Sequence, residues 1–286
     1  MNYKSVVVYL DDLSQAKSTV GMACEIGEQH QAHLTGVYMM PALELYTAAD
    51  FPIPQEARDG HARLHQQRSD DIRQLFEQHT QHRDFVAEWR FIDSSRQSIE
   101  SAVSNLAGAY DLLIMGQKDR STIGSRQHSL SERVMLNCAR PTLLVPPGYT
   151  RPKPIKEVLV AFDHSARASR AIFDSMPVLQ LADSVTLQRI NPKAGEQTYV
   201  IDNSKEIVST LARHGVNTEI AYSAAERQYI GSNDTIGDEL LRIAHEISAD
   251  ILVMGAYSHS RLGEQLFGGT THAILRKMDL PVLMSR

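Results

Sequence analysis

The chain has 286 residues, 42% of them hydrophobic and 22% charged, enough for two domains that each bury a core of their own. A formal charge of −5 offers no basic footprint for nucleic acid, and no apolar run approaches the roughly 20 residues that a membrane helix needs. Two cysteines, Cys24 and Cys138, argue against a disulfide framework and a paired-cysteine metal site, and the opening residues lack a secretory h-region, so a reduced cytoplasmic setting is expected.

Val6-Val7-Val8-Tyr9-Leu10 is an uninterrupted apolar run, the pattern of a strand buried on both faces. Asp11-Asp12-Leu13-Ser14 follows, and then Ala16, Val20, Ala23, Cys24 and Gly27 recur at helical spacing, which makes Cys24 a packed thiol rather than a reactive one. His33 to Tyr38 reads as the second strand, Pro41 to Pro54 as a long connection, and residues 56–80 as a polar helix. Phe85 to Phe91 alternates like a third strand, Ser98 to Ala109 is a predicted helix, and strands are predicted at 111–115 and 142–145. The prolines and glycine from Pro146 to Pro154 then mark a boundary, which divides the chain into residues 1–147, a linker at 148–154, and residues 155–286.

Beyond the linker the pattern restarts. Val158 to Phe162 and Asp163-His164-Ser165 repeat the opening strand and its acidic turn. Val185-Thr186-Leu187 and Thr218 to Tyr222 match the second and third strands, and a helix is predicted from Asp234, its N-cap, to Ile247. Both copies close alike: Leu112-Leu113-Ile114-Met115-Gly116 runs on to Pro141-Thr142-Leu143-Leu144-Val145, and Ile251-Leu252-Val253-Met254-Gly255 runs on to Pro281-Val282-Leu283-Met284. One α/β unit therefore occurs twice. Strands alternating with helices predict a mostly parallel, doubly wound five-stranded sheet in each copy, flanked by helices.

Ligands of open parallel sheets bind outside the carboxyl ends of the strands, at the point where the strand order reverses. The aspartate after the first strand and the loop after the fourth should meet there. In the second copy that loop runs from Gly255 past Ser258, His259 and Arg261 to Gly268-Gly269-Thr270-Thr271, which is predicted to open the last helix. Exposed N–H groups at a helix start, glycines that allow close approach, two hydroxyls and the countercharge of Arg261 suit an anion. The same glycines equally suit turns and a helix start with no ligand, and spacing alone leaves both readings open. The pairs His61/His65 and His79/His82 have metal-like spacing but no third ligand, and are expected on a solvated helix face. Walker A, G-x-S-x-G and G-x-G-x-x-G motifs are absent.

Both copies resemble the universal stress protein family, and together they resemble its tandem two-domain members, in the first-strand aspartates Asp11 and Asp163, the Met-Gly after the fourth strand and the proline-led last strand. The resemblance implies an adenine nucleotide alpha hydrolase-like fold and a G-x2-G-x9-G-(S/T) signature that holds ATP phosphates and ribose. In the second copy those positions are Gly255, Ser258, Gly268 and Gly269, two of which match. By the family pattern Asp163 and Ile190 border the adenosine, Met254 and Gly255 form the floor, and Gly268 to Thr271 meet the phosphates. Any Mg would ride on the phosphates, without a protein metal cage. In the first copy the positions are Gly116, Asp119, Ser129 and Leu130, with Asp11 and Val37 as the remaining counterparts, and only Gly116 survives. A carboxylate at Asp119 would repel a polyphosphate. The expectation is therefore one working site for ATP or a related adenine nucleotide, in the second copy, with a degenerate first copy. Asp163 would face the adenosine, which leaves His259 as the nearest base and predicts little or no hydrolysis. The resemblance further implies an intramolecular pairing of the copies through their last strands, and leaves a homodimer open. The alternatives are an interaction scaffold without nucleotide, a sensor of another small ligand, and a hydrolase using a divalent ion.

Overall fold

The structure, a computed structural model, describes residues 2–43, 53–117, 130–150, 152–190, 203–223, 236–256, 258–261, 264–267 and 269–286. In the first half the elements are β1 (Ser5–Tyr9), α1 (Leu13–His30), β2 (His33–Met40), α2 (Gln55–Thr80), β3 (Ala87–Asp93), α3 (Ile99–Ala107), β4 (Leu112–Gly116), α4 (Leu130–Asn137) and β5 (Thr142–Val145). The second half contributes β6 (Glu157–Ala161), α5 (Ala166–Asp174), α6 (Met176–Leu179), β7 (Ser184–Ile190), α7 (Ser204–Arg213), β8 (Thr218–Ser223), α8 (Ile236–Glu246), β9 (Ile251–Gly255), β10 (Ser258–Arg261), β11 (Glu264–Phe267), α9 (Gly269–Lys277) and β12 (Val282–Ser285).

The two expected five-stranded sheets are continuous with each other. One ten-stranded sheet runs in the order β3-β2-β1-β4-β5-β12-β9-β6-β7-β8. Pairing is parallel within each half, and the halves meet through the antiparallel pair β5–β12, with Leu144 opposite Val282 and Leu143 opposite Leu283. The intramolecular pairing is thus a main-chain ladder at the centre of the sheet. In each half the order reverses beside the first strand, β1 lying between β2 and β4 and β6 between β7 and β9.

The opening apolar runs are explained by burial on both faces. Val6, Val8 and Leu10 enter one core layer while Val7 and Tyr9 enter the other, and Val158 and Val160 alternate with Leu159 in the same way. A repeated anchor fixes each fourth strand beside the first. Asp111 Oδ2 accepts from the N–H groups of Lys4 and Ser5 at 2.8 and 3.0 Å, and Asp250 Oδ2 accepts from those of Lys156 and Glu157 at 2.8 and 2.9 Å. The aspartate of each Asp-Leu-Leu or Asp-Ile-Leu run is therefore a strand clamp, which hydrophobic pattern alone did not identify.

Two expectations change in detail. The stretch after Gly255, read as a loop, holds the antiparallel pair β10–β11, in register from Ser258 opposite Phe267 to Arg261 opposite Glu264. The polar helix is not solvated along its whole inner side: His65 is buried and its Nδ1 lies 2.6 Å from the Tyr38 hydroxyl, and the His61 ring packs 4.4 Å from the His65 ring. Among the described residues no cluster of three metal-ligating side chains forms. The expected cap Asp234 and most of the Pro41–Pro54 connection lie outside the described residues. Cys24 is fully buried, and burial pushes its thiol up to about 11, in keeping with a packing role. No helix among the described residues is long and apolar enough to cross a membrane.

Candidate functional site

A cavity of about 300 Å³ opens at the carboxyl ends of β6, β7 and β9, at the switch point of the second half. The turn that enters it is built by capping. Asp163 Oδ1 accepts from the N–H of Ser165 at 3.0 Å, and Ser165 Oγ accepts from the N–H of Ala168 at 3.0 Å, as the N-cap of α5. Between them His164 adopts a left-handed φ of 63°, and its Nδ1 lies 2.7 Å from Asn203 Oδ1. The chain thus reverses directly from β6 into α5, and the first turn of α5 becomes one wall of the cavity.

Of the residues singled out in the second copy, Asp163, Ile190, Met254, Gly255, Thr270 and Thr271 line this one cavity. Gly269 is the first residue of α9, so Thr270 and Thr271 lie in its opening turn. Ser258 and Arg261 begin and end β10, paired in register with Phe267 and Glu264, and Gly268 lies outside the described residues. The cavity lining combines the apolar Ile190, Leu240, Ile236 and Met254 with the polar Ser165, Arg167, Thr270 and Thr271.

Gly255 has a different reason from the one its sequence context suggested. A Cβ there would lie 2.7 Å from the amide nitrogen of Ala168, 2.7 Å from the carbonyl carbon of Arg167 and 3.0 Å from Arg167 Cβ. Its missing side chain admits the backbone of α5. At Gly116 the equivalent Cβ would meet Gln15 Oε1 at 2.7 Å and Thr19 Oγ1 at 3.0 Å, again from the helix after the first strand.

In the first half the register corrects one correspondence and sets one bulky residue apart. Leu10 N–H donates to the oxygen of Val37 at 3.0 Å, as Phe162 N–H donates to the oxygen of Gln188 at 3.0 Å, and Tyr9 pairs with Val37 as Ala161 pairs with Gln188. Val37, fully buried, is therefore the counterpart of Gln188, and the counterpart of Ile190 is Met39. Asp11 keeps its place after β1, and Gly116 ends β4. Asp119 and Ser129 lie outside the described residues. What stands out is Tyr9. At the register position where the second half has Ala161 on its cavity wall, the first half has a tyrosine 5% exposed, its ring packed in the same core layer. Burial, with Asp11 and Tyr38 adding to it, holds the Tyr9 hydroxyl well above its ordinary range, so it stays neutral. The signal was present in the sequence as Val8-Tyr9-Leu10-Asp11 against Val160-Ala161-Phe162-Asp163.

Sequence reading also passed over Ser165, Arg167, Gln188 and Leu240 among the wall residues. Gln188 follows Val185-Thr186-Leu187 within β7 and is 3% exposed.

Fold and cavity together define a tandem of two doubly wound α/β units sharing one sheet, with an open switch-point site in the second. The family model for "Universal stress protein family" matches residues 2–146 and again 154–286, and the chain belongs to the universal stress protein family, with two copies of its unit. Among characterised relatives, the universal stress protein Slr1230 of Synechocystis is 25% identical over 186 residues, which is 64% of this chain and 61% of that protein. The match therefore spans less than two thirds of the relative's length. Among solved structures, a universal stress protein from Archaeoglobus fulgidus aligns over 100% of this chain and 97% of its own, with a TM-score of 0.71 at 15% identity. A protein of unknown function from Pseudomonas aeruginosa PAO1 aligns over 99% and 92%, with a TM-score of 0.52 at 14% identity. At those identities the structures speak for the fold.

Proposed function

We propose that the second half binds ATP or a related adenine nucleotide in the switch-point cavity, and that the protein acts as a nucleotide-bound regulator with little or no hydrolysis. The observation that carries this reading is the composition of the cavity wall: apolar Ile190, Leu240 and Met254 line it together with residues from the starts of two helices, Arg167 from one and Thr270 and Thr271 from the other. Helix starts present N–H groups and partial positive charge to an anion, and apolar walls suit the face of a base. Asp163, bordering the cavity, is placed for the ribose or adenosine, and Gly268, Gly269, Ser258 and Arg261 complete the phosphate end in this reading. A Mg ion would be carried by the phosphates.

The first copy, residues 1–147 in this division, is proposed as a structural partner of residues 155–286. Calorimetric titration of the full chain with ATP tests the reading. Saturable heat is expected, together with its loss when Gly268 is replaced by a bulky residue. A folded protein giving no heat at high micromolar ATP would overturn it in favour of a scaffold that needs no nucleotide.

A further inference from the structure

Gln188 sits within β7, is 3% exposed and lines the cavity. Its Nε2 donates to the main-chain oxygen of Arg189 at 3.1 Å and to Ser223 Oγ at 3.1 Å. A peptide carbonyl can only accept, so the first bond distinguishes the nitrogen of the amide from its oxygen. The second bond agrees with that assignment. The Ser223 hydroxyl is bonded to the Glu239 carboxylate, which accepts its proton and leaves Oγ to accept from Gln188. Arg242, 2.6 Å from Glu239 Oε1, keeps that carboxylate ionised and its pKa below the usual range. A relay of Arg242, Glu239, Ser223 and Gln188 thus runs inward to the cavity, its polarity set by the ion pair at its outer end.

Both amide protons of Gln188 are committed to protein acceptors, and no described residue donates to Oε1. The first half has Val37 at this register position, so the acceptor belongs to the copy with the open cavity.

We propose that Gln188 Oε1 is the base-reading acceptor of the cavity, taking a hydrogen bond from the exocyclic amino group of a 6-aminopurine and rejecting 6-oxopurines. The inference rests on the reading of this cavity as a purine nucleotide site. Adenine carries a donor at position 6. Guanine and hypoxanthine carry a carbonyl oxygen there, which would face Oε1 oxygen to oxygen. Gln188 cannot adapt by turning its amide over, because that would set its oxygen against the Arg189 carbonyl and abandon the bond to Ser223. A site built around a buried hydrogen-bonding group discriminates strongly against a ligand that leaves it unpaired.

The test is calorimetric titration of the full chain with ATP and with ITP, which differ in the amino or oxo group at position 6 and in the proton that the oxo form carries on N1. Wild-type protein is expected to bind ATP at least about tenfold more tightly than ITP. In Gln188→Met, which keeps the volume and removes the acceptor, ATP should weaken about tenfold and the ratio should fall to within about threefold. Equal binding of ATP and ITP by the wild type would overturn the base-reading role while leaving a nucleotide site in place. So would a folded Gln188→Met protein that keeps the wild-type ratio. Binding of neither nucleotide by the wild type would overturn the nucleotide reading and this inference with it. If the variant does not fold, the wild-type ratio decides.

Discussion

Alanine at Gly255 would place a methyl carbon 2.7 Å from the Ala168 nitrogen and 2.7 Å from the Arg167 carbonyl carbon. Unstrained carbon contacts lie at about 3.5–4.0 Å, so the first turn of α5 would have to retreat by most of an ångström. That turn is backbone, capped by Ser165 and packed on β9 and β12, and it has no rotamer through which to escape. Overpacking of this kind costs about 1–3 kcal/mol. The same substitution at Gly116 meets the ends of Gln15 and Thr19, side chains that can turn aside. Neither glycine has a positive φ, so alanine adds no conformational strain at either site, and the stiffer unfolded chain returns about 0.4–1 kcal/mol at both. Gly255→Ala is therefore expected to lose about 2 kcal/mol more than Gly116→Ala, which should lie close to wild type. Urea unfolding at fixed temperature measures the difference, and in thermal melts it corresponds to roughly 2–4 °C for each kcal/mol. Equal losses, or a larger loss at Gly116, would refute the reasoning. A Gly255→Ala protein with unchanged stability that had lost only nucleotide binding would return the glycine to the ligand-admitting role its sequence context suggested.

Ala161→Tyr copies the first half's plug into the second and should reduce ATP binding by at least about a hundredfold with the fold intact by circular dichroism; wild-type affinity in that variant would show that Tyr9 is not what closes the first copy. His30 lies buried against the Tyr3 ring at 5.0 Å, and burial pushes its pKa down to about 4. Because the unfolded chain takes up this proton near pH 6.5 and the folded chain does not, stability should fall as pH drops from 6.5 towards 4, by up to about 3 kcal/mol, and level off below; a His30→Leu protein whose unfolding free energy keeps the wild-type slope over that range would contradict this. Gln117 is buried, donates to the Leu275 carbonyl near the end of α9 at 3.0 Å and accepts from Ser131 Oγ at 2.5 Å, so Gln117→Leu should cost about 1–3 kcal/mol in denaturant unfolding, and a loss below about 0.5 kcal/mol would mean the bridge between the halves is solvated.

The repeat carried most of the architecture because burial dictates it. Val6-Val7-Val8 and Val158-Leu159-Val160 can be apolar at consecutive positions only where helices cover both faces, and that condition is met in a parallel sheet. The pairing of the halves followed from the family resemblance rather than from pattern, since nothing in Pro141 to Val145 says that its neighbour is Val282 to Ser285. Site residues were legible where they sit next to punctuation: Asp163 at a strand end, and Gly255, Thr270 and Thr271 around glycines. Gln188 and Arg167 were not, because one is hidden within a strand and the other faces the cavity through a helix phase that the sequence does not reveal. Asp119 drew attention as a charge, whereas the feature that the register exposes in the first copy is the bulk of Tyr9.

On the proposed reading of one nucleotide site per chain, that difference bears on how the first copy could lose its site without losing its fold. The elements that define the switch point serve packing as well as any ligand. Gly116 and Gly255 admit the helix after the first strand, Asp111 and Asp250 clamp the fourth strand to the first, and the turns that carry Asp11 and Asp163 lead directly into α1 and α5. Each remains necessary whether or not the cavity is used, so each persists in both halves. The positions that serve only the cavity are free to change, and they are where the halves differ: alanine against Tyr9, and glutamine against Val37. Both changes replace space or polarity with buried apolar or aromatic volume, which stabilises a core that no longer has to stay open. A shared sheet joined at β5 and β12 then makes the first copy useful on its own account, because it covers the β12 edge that the second copy would otherwise expose.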